Sequence, residues 1–214
     1  MRFQRSDIPN VITVGRIAIT PAVFLLILPE SALLRLLAFL LFLAAAFSDM
    51  WDGYLARKHG WISDFGKLWD PIADKLLLAA TFVPFWIVSH GDGNLAYLPY
   101  WGVLPLWVVI VIFGREILIT VVRSVLASRG RVLPAGRAGK HKAVWQNIFI
   151  GATIFWYMLV VAAERGGWTS GVYELLRAVV ELVVGVSLLI AVLLTVYSMV
   201  VYLYQWWRVG RATP

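Results

Sequence analysis

Apolar stretches long enough to cross a bilayer recur about six times along this chain, over residues 9–29, 32–57, 68–89, 97–126, 143–163 and 174–206. No other feature limits the fold so tightly. Inside hydrocarbon, every backbone N–H and C=O must find a partner within the protein, and stretches of this length do so as α-helices. The sequence therefore predicts an all-α polytopic membrane protein with about six transmembrane helices and no separate soluble domain. Residues 1–214 read as one membrane domain, without linkers or repeats. Residues 1–8 mix basic and apolar positions and predict a short N-terminal surface helix. They are too polar for a leader, and no small-residue cleavage site follows the first apolar run, so that run is expected to be retained. The absence of Cys excludes disulfides.

The net charge of +7 is first a topology signal. Sixteen of the nineteen Lys and Arg fall at one set of alternating helix ends, and only Arg35, Arg165 and Arg177 lie toward the other. By the positive-inside rule, both termini belong on the cytoplasmic side. The basic residues cluster at helix ends, not in a grooved soluble domain. Anionic lipids and phosphate substrates therefore fit as partners better than nucleic acid.

Five of the twelve acidic residues lie within residues 49–74. Four form a pattern: Asp49-x-x-Asp52-Gly53-x-x-Ala56-Arg57, then eight residues, then Gly66-x-x-x-Asp70-x-x-x-Asp74. Asp49, Asp52 and Ala56 share one helix face, and Gly66, Asp70 and Asp74 share a face of the next. The short connection predicts antiparallel neighbours whose facing carboxylates surround one small volume. Carboxylates alone in a bilayer are costly, so a cation is expected where four of them gather. Oxygen-only ligands favour Mg²⁺, Mn²⁺ or Ca²⁺, and four carboxylates suit a pair of ions clamping a phosphoryl group. Gly53, Ala56 and Gly66 leave room on that face for a substrate or for close helix approach. Arg57, near the carboxylates, is placed for phosphate.

At these residues the chain resembles the CDP-alcohol phosphotransferase family of integral membrane enzymes, whose D-x-x-D-G-x-x-A-R-x8-G-x3-D-x3-D motif it matches at every fixed position. Further segments resemble the branch whose members make phosphatidylglycerophosphate. These are Ile8-Pro9-Asn10-x-x-Thr13-x-x-Arg16, Phe65-Gly66 through Lys75, Arg115-Glu116-Ile117 with Arg123, and Gly139-Lys140-x-Lys142. That branch often has Thr where this chain has Ala143. The resemblance implies six transmembrane helices, a homodimer, and an active site at the cytoplasmic boundary of a bacterial inner membrane. It also implies that Asp49, Asp52, Asp70 and Asp74 bind two Mg²⁺ or Mn²⁺ ions and that Asp74 doubles as general base. Gly53, Arg57 and Ser63 match positions contacting the CDP-lipid, with Pro9 and Asn10 near the cytidine. The implied donor is CDP-diacylglycerol and the implied acceptor glycerol 3-phosphate.

An acceptor that carries a phosphate needs a second anion pocket, for which Arg115, Arg123, Arg137, Lys140 and Lys142 are the candidates. Arg115 stands inside the fourth apolar run. Its neighbour Glu116 points about 100° away on an ideal helix, which makes a bound phosphate the better partner. Sibling activities using phosphatidylglycerol, serine or inositol phosphate are the nearest alternatives; free serine, lacking a phosphate, suits the basic side poorly. A divalent-cation transporter is the alternative of a different class, and the adjacent basic cluster would repel its cargo.

Overall fold

The computed structural model describes residues 8–61, 63–91, 97–128 and 137–211, and only the backbone of residues 55–57, 64, 67, 127, 137, 138 and 208–211. The surface helix expected over residues 1–8 falls outside them, apart from Ile8. Among the described residues six helices follow in order: α1 (Ile8–Ile27), α2 (Ala32–His59), α3 (Asp64–Ser89), α4 (Leu106–Ser128), α5 (Arg137–Gly166) and α6 (Gly171–Arg211). The described residues form no strand beyond one isolated bridge, Leu98 to Gly102. The protein is an all-helical, multi-pass membrane protein. Five helices are long and apolar enough to span by length and composition. α4 falls short because every stretch of spanning length within it contains Arg115, Glu116 and Arg123.

Local chemistry sets the helix ends. Ser31 caps α2 by accepting from Leu34 N, and Gly60 ends α2 in the left-handed conformation at φ 68°. The fourth apolar run starts its helix at Leu106, later than its hydropathy indicates. Pro99 and Pro105 interrupt it, and residues 98–102 close instead into a tight turn with Leu98 N donating to Gly102 O at 2.7 Å.

The expected pairing of α2 with α3 is corrected by the structure. α1 packs along both of them, while α2 and α3 barely touch each other. α2 then packs on α5, α5 on α6, and α6 on α4. α5 is the most enclosed spanning helix and carries the core. Phe149 meets the rings of Phe82 and Phe85 at 5.5 and 6.0 Å, and Phe85 meets Tyr157 at 5.9 Å. Gly151 lets Phe42 of α2 lie against the α5 backbone. Lipid tails are as apolar as these side chains, so such close packing, not water exclusion, holds the bundle together. At the end away from the carboxylates, buried Arg35 donates to Ile27 O at 3.3 Å and Tyr157 O at 3.0 Å, tying α1, α2 and α5.

Candidate active site

α1 delivers the residue that organises the carboxylates. Pro9, Thr13, Arg16 and Thr20 follow each other at helical spacing and form its buried face. Because α1 is wedged between α2 and α3, the Arg16 guanidinium enters the space between the two Asp pairs. Its Nη1 pairs with Asp49 and, at 2.9 Å, with Asp74; its Nη2 lies 3.4 Å from Asp52 and 3.8 Å from Asp70. Thr13 Oγ1 lies 2.6 Å from Asp70 Oδ1 and 3.1 Å from Pro9 O, and its single proton serves the nearer carboxylate. The convergence of four carboxylates on one volume is thus present. Arg16 was counted from sequence only as a topology charge and quoted within a motif. As a cation inside the first apolar run it demanded a partner, by the same logic applied to Arg115.

One guanidinium stands among four carboxylates, so the acidic groups outnumber the cation by three. Asp52 is closed off, with 6% of its side chain exposed, whereas Asp49, Asp70 and Asp74 are 44%, 46% and 58% exposed. Among the described residues, no three acidic or imidazole side chains close on one point as metal ligands; the carboxylates turn to Arg16 instead. The donor set still fits hard divalent cations in its chemistry: oxygen only, in negative excess, and largely open. Among the described residues Arg16 Nε, which is buried, has no hydrogen-bond partner, so the guanidinium is not fully satisfied by them.

Beside Asp70 is a small shelf. Ser63 caps α3 by accepting from Gly66 N at 2.9 Å and donates to Asn10 Oδ1 at 2.5 Å. A Cβ on Gly66 would lie 3.3 Å from Ser63 Oγ and 3.5 Å from both Asn10 Oδ1 and Asp70 Oδ2. Asn10, Ser63 and Gly66 are therefore brought together, with Pro9 buried one residue away. Gly53 is half-buried next to Asp52. The side chains of Ala56 and Arg57 lie outside the described residues.

The carboxylates open into a cleft of about 360 Å³. Its lining includes the acidic Asp49, Asp70, Asp74 and Glu116 and the basic Arg16, Lys75, Arg123 and Lys142; Ala46, Leu77, Leu78 and Ile150 add apolar surface. Of the five expected phosphate-binding residues, the cleft gathers Arg123 and Lys142. Lys140 is exposed outside its lining, and the Arg137 side chain is outside the described residues. Lys75, which ends the Phe65–Lys75 segment and has no site role in the sequence reading, joins the lining and donates to Thr120 Oγ1 at 2.8 Å.

Arg115 is placed differently from expectation. It donates to Glu116 Oε1 at 3.1 Å and to Ser198 Oγ at 3.2 Å, and its guanidinium lies 5.3 Å from the Tyr202 ring centre. Helical phase describes where Cβ points, but two long side chains bend around the helix and meet beyond it. Lys142 pairs with the same Glu116 oxygen and helps hold it there. Arg123 donates to Tyr202 Oη at 2.8 Å, with its guanidinium 5.2 Å from the same ring centre. From sequence Tyr202 reads only as one of the interfacial aromatics near the end of α6, with Tyr204, Trp206 and Trp207.

The fold and this motif-bearing cleft agree with the sequence profile of the CDP-alcohol phosphatidyltransferase family, which matches residues 6–209. The chain belongs to that family and is a transferase. It is 35% identical to the CDP-diacylglycerol–glycerol-3-phosphate 3-phosphatidyltransferase of Bacillus subtilis, over 69% of this chain and 76% of the relative. A protein of the same description from Rickettsia prowazekii is 33% identical over 72% of this chain and 77% of its own length. CDP-diacylglycerol–glycerol-3-phosphate 3-phosphatidyltransferase 2 of Arabidopsis thaliana is 32% identical over 94% of this chain and 80% of its own length.

Proposed function

We propose that this enzyme transfers the phosphatidyl group of CDP-diacylglycerol to glycerol 3-phosphate, forming phosphatidylglycerophosphate and releasing CMP. One observation carries the reading: a single cleft gathers Asp49, Asp70 and Asp74 with Lys75, Arg123 and Lys142 beside apolar side chains. That arrangement suits two anionic partners meeting at a membrane boundary. The names of the relatives point to the same donor and acceptor.

In this reading, the shelf of Asn10, Ser63 and Gly66 receives the CDP portion, with Pro9, Gly53, Ala56 and Arg57 around it. The acceptor phosphate lies against Arg123 and Lys142, with Lys75, Arg137 and Lys140 adding positive potential. Arg115 supports this pocket by holding Glu116 beside Lys142. The acceptor hydroxyl attacks the phosphorus bearing the diacylglycerol, the bond to the CMP oxygen breaks, and CMP departs. Asp74, the most open of the four carboxylates, takes the hydroxyl proton. Asp49, Asp52, Asp70 and Asp74 would hold two divalent ions, Mg²⁺ or Mn²⁺. Bound there, such ions supply Lewis acidity toward a phosphoryl group and lower the pKa of an alcohol. Arg16 keeps the four carboxylates gathered.

We place the cleft and both termini on the cytoplasmic side of a bacterial inner membrane, from the distribution of Lys and Arg. We also take the working form to be a homodimer, as the family resemblance implies. Family membership weighs against a cation transporter. Purified protein supplied with CDP-diacylglycerol, Mg²⁺ or Mn²⁺ and a panel of glycerol 3-phosphate, phosphatidylglycerol, inositol phosphate and serine tests the acceptor. Phosphatidylglycerophosphate and CMP are expected with glycerol 3-phosphate alone; CMP release with another acceptor only would refute the assignment.

A further inference from the structure

Gln146 lines the cleft from α5 and is 4% exposed. Its amide Nε2 is shut from solvent and has no hydrogen-bond partner among the described residues. An unpaired amide buried in a membrane protein is costly, and it stands here in the wall of a substrate cleft. We propose that Gln146 is a specificity-determining residue that reads the non-reacting hydroxyl of a polyol phosphate acceptor. This rests on the acceptor assignment above.

Position and chemistry both point to a hydroxyl. Lys142, Gln146 and Ile150 follow at four-residue spacing on the cleft face of α5, each about 6 Å further along the helix. The wall thus runs from a cation, through a neutral amide, to an aliphatic group. A phosphate belongs at the charged end, with Lys142 and Arg123. A three-carbon acceptor anchored there extends its hydroxyl carbons toward Gln146. Its reacting hydroxyl must face Asp74, so the hydroxyl on the neighbouring carbon needs a separate partner. A carboxamide offers both donor and acceptor, the complement of an alcohol that also does both. A site built to bond a hydroxyl discriminates against an analogue without it, because the protein's own polar group is then left unpaired.

The test compares glycerol 3-phosphate with 3-hydroxypropyl phosphate, which keeps the reacting hydroxyl and the phosphate but lacks the middle hydroxyl. Both are assayed for CMP release with CDP-diacylglycerol, in wild type and in Gln146→Met, which retains length but not hydrogen bonding. Wild type is expected to prefer glycerol 3-phosphate by roughly ten- to hundredfold in kcat/KM, as for one or two neutral hydrogen bonds left unmade. In Gln146→Met the preference should fall to near one, with the thermal unfolding midpoint retained. A preference of the same size in both proteins, or none in wild type, would overturn the proposal. Equal loss on both acceptors together with a lowered midpoint would also overturn it, because that marks a packing role. Failure of wild type to use glycerol 3-phosphate while releasing CMP to another alcohol would instead remove the acceptor assignment, and this inference with it.

Discussion

Replacing Arg16 with Gln removes the one cation among the described residues that pairs with all four motif carboxylates, and leaves a shorter, neutral polar side chain. Removing one partner of a fully buried ion pair costs about 3–5 kcal/mol. The structure puts this site toward the lower end. Only Asp52 is closed off, at 6% side-chain exposure, while Asp49, Asp70 and Asp74 are about half open and screened. A loss of about 3 kcal/mol corresponds to roughly 6–12 °C in the unfolding midpoint for a chain of this size. The assay is thermal unfolding of purified protein in detergent with EDTA, repeated across a titration of Mg²⁺ or Mn²⁺. Arg16→Gln should unfold earlier than wild type in EDTA, and divalent ions should recover a larger share of stability in the variant. Equal midpoints in EDTA would refute the claim that the guanidinium neutralises this cluster. A deficit that no divalent ion relieves would refute the claim that the same oxygens hold metal.

Three other outcomes are expected. Asp70→Asn and Asp74→Asn should each abolish CMP release while yielding a protein that still elutes as a folded species; full turnover in either would remove the carboxylates from the mechanism. Gly66→Ala should raise the KM for CDP-diacylglycerol several-fold with little effect on the unfolding midpoint, because the added methyl lies 3.3 Å from Ser63 Oγ and 3.5 Å from Asn10 and Asp70, inside the shelf. Arg115→Ala should lower stability by about 2–3 kcal/mol, since a buried guanidinium loses Glu116, Ser198 and the Tyr202 ring; a raised acceptor KM with unchanged stability would return Arg115 to direct phosphate contact.

The helical class, the spans and the four carboxylates were legible along the chain because each depends on local quantities. Span length follows from apolar runs, and the spacings of Asp49 with Asp52 and of Asp70 with Asp74 follow from helical pitch. Ser31, Gly60 and Ser63 mark helix ends by chemistry within a few residues of themselves. The late start of α4 was missed, because the apolar character of residues 97–105 hides the Pro99 and Pro105 that delay it.

What depended on which helices lie together was not legible. A short loop between α2 and α3 reads as direct pairing, yet α1 stands between them, and its Arg16 occupies the charge centre assigned from sequence to metal alone. Glu116 looked like a poor partner for Arg115 until Lys142 arrived from α5 to hold it. Gln146 is unremarkable in a string of residues and becomes informative only when its amide is found buried and unpaired in the cleft wall. Sequence by itself determined the elements and their reactive groups, since pitch, capping and hydropathy act over one or two turns. Tertiary structure alone decided which charges meet, because long side chains reach across helix boundaries that no spacing rule encodes.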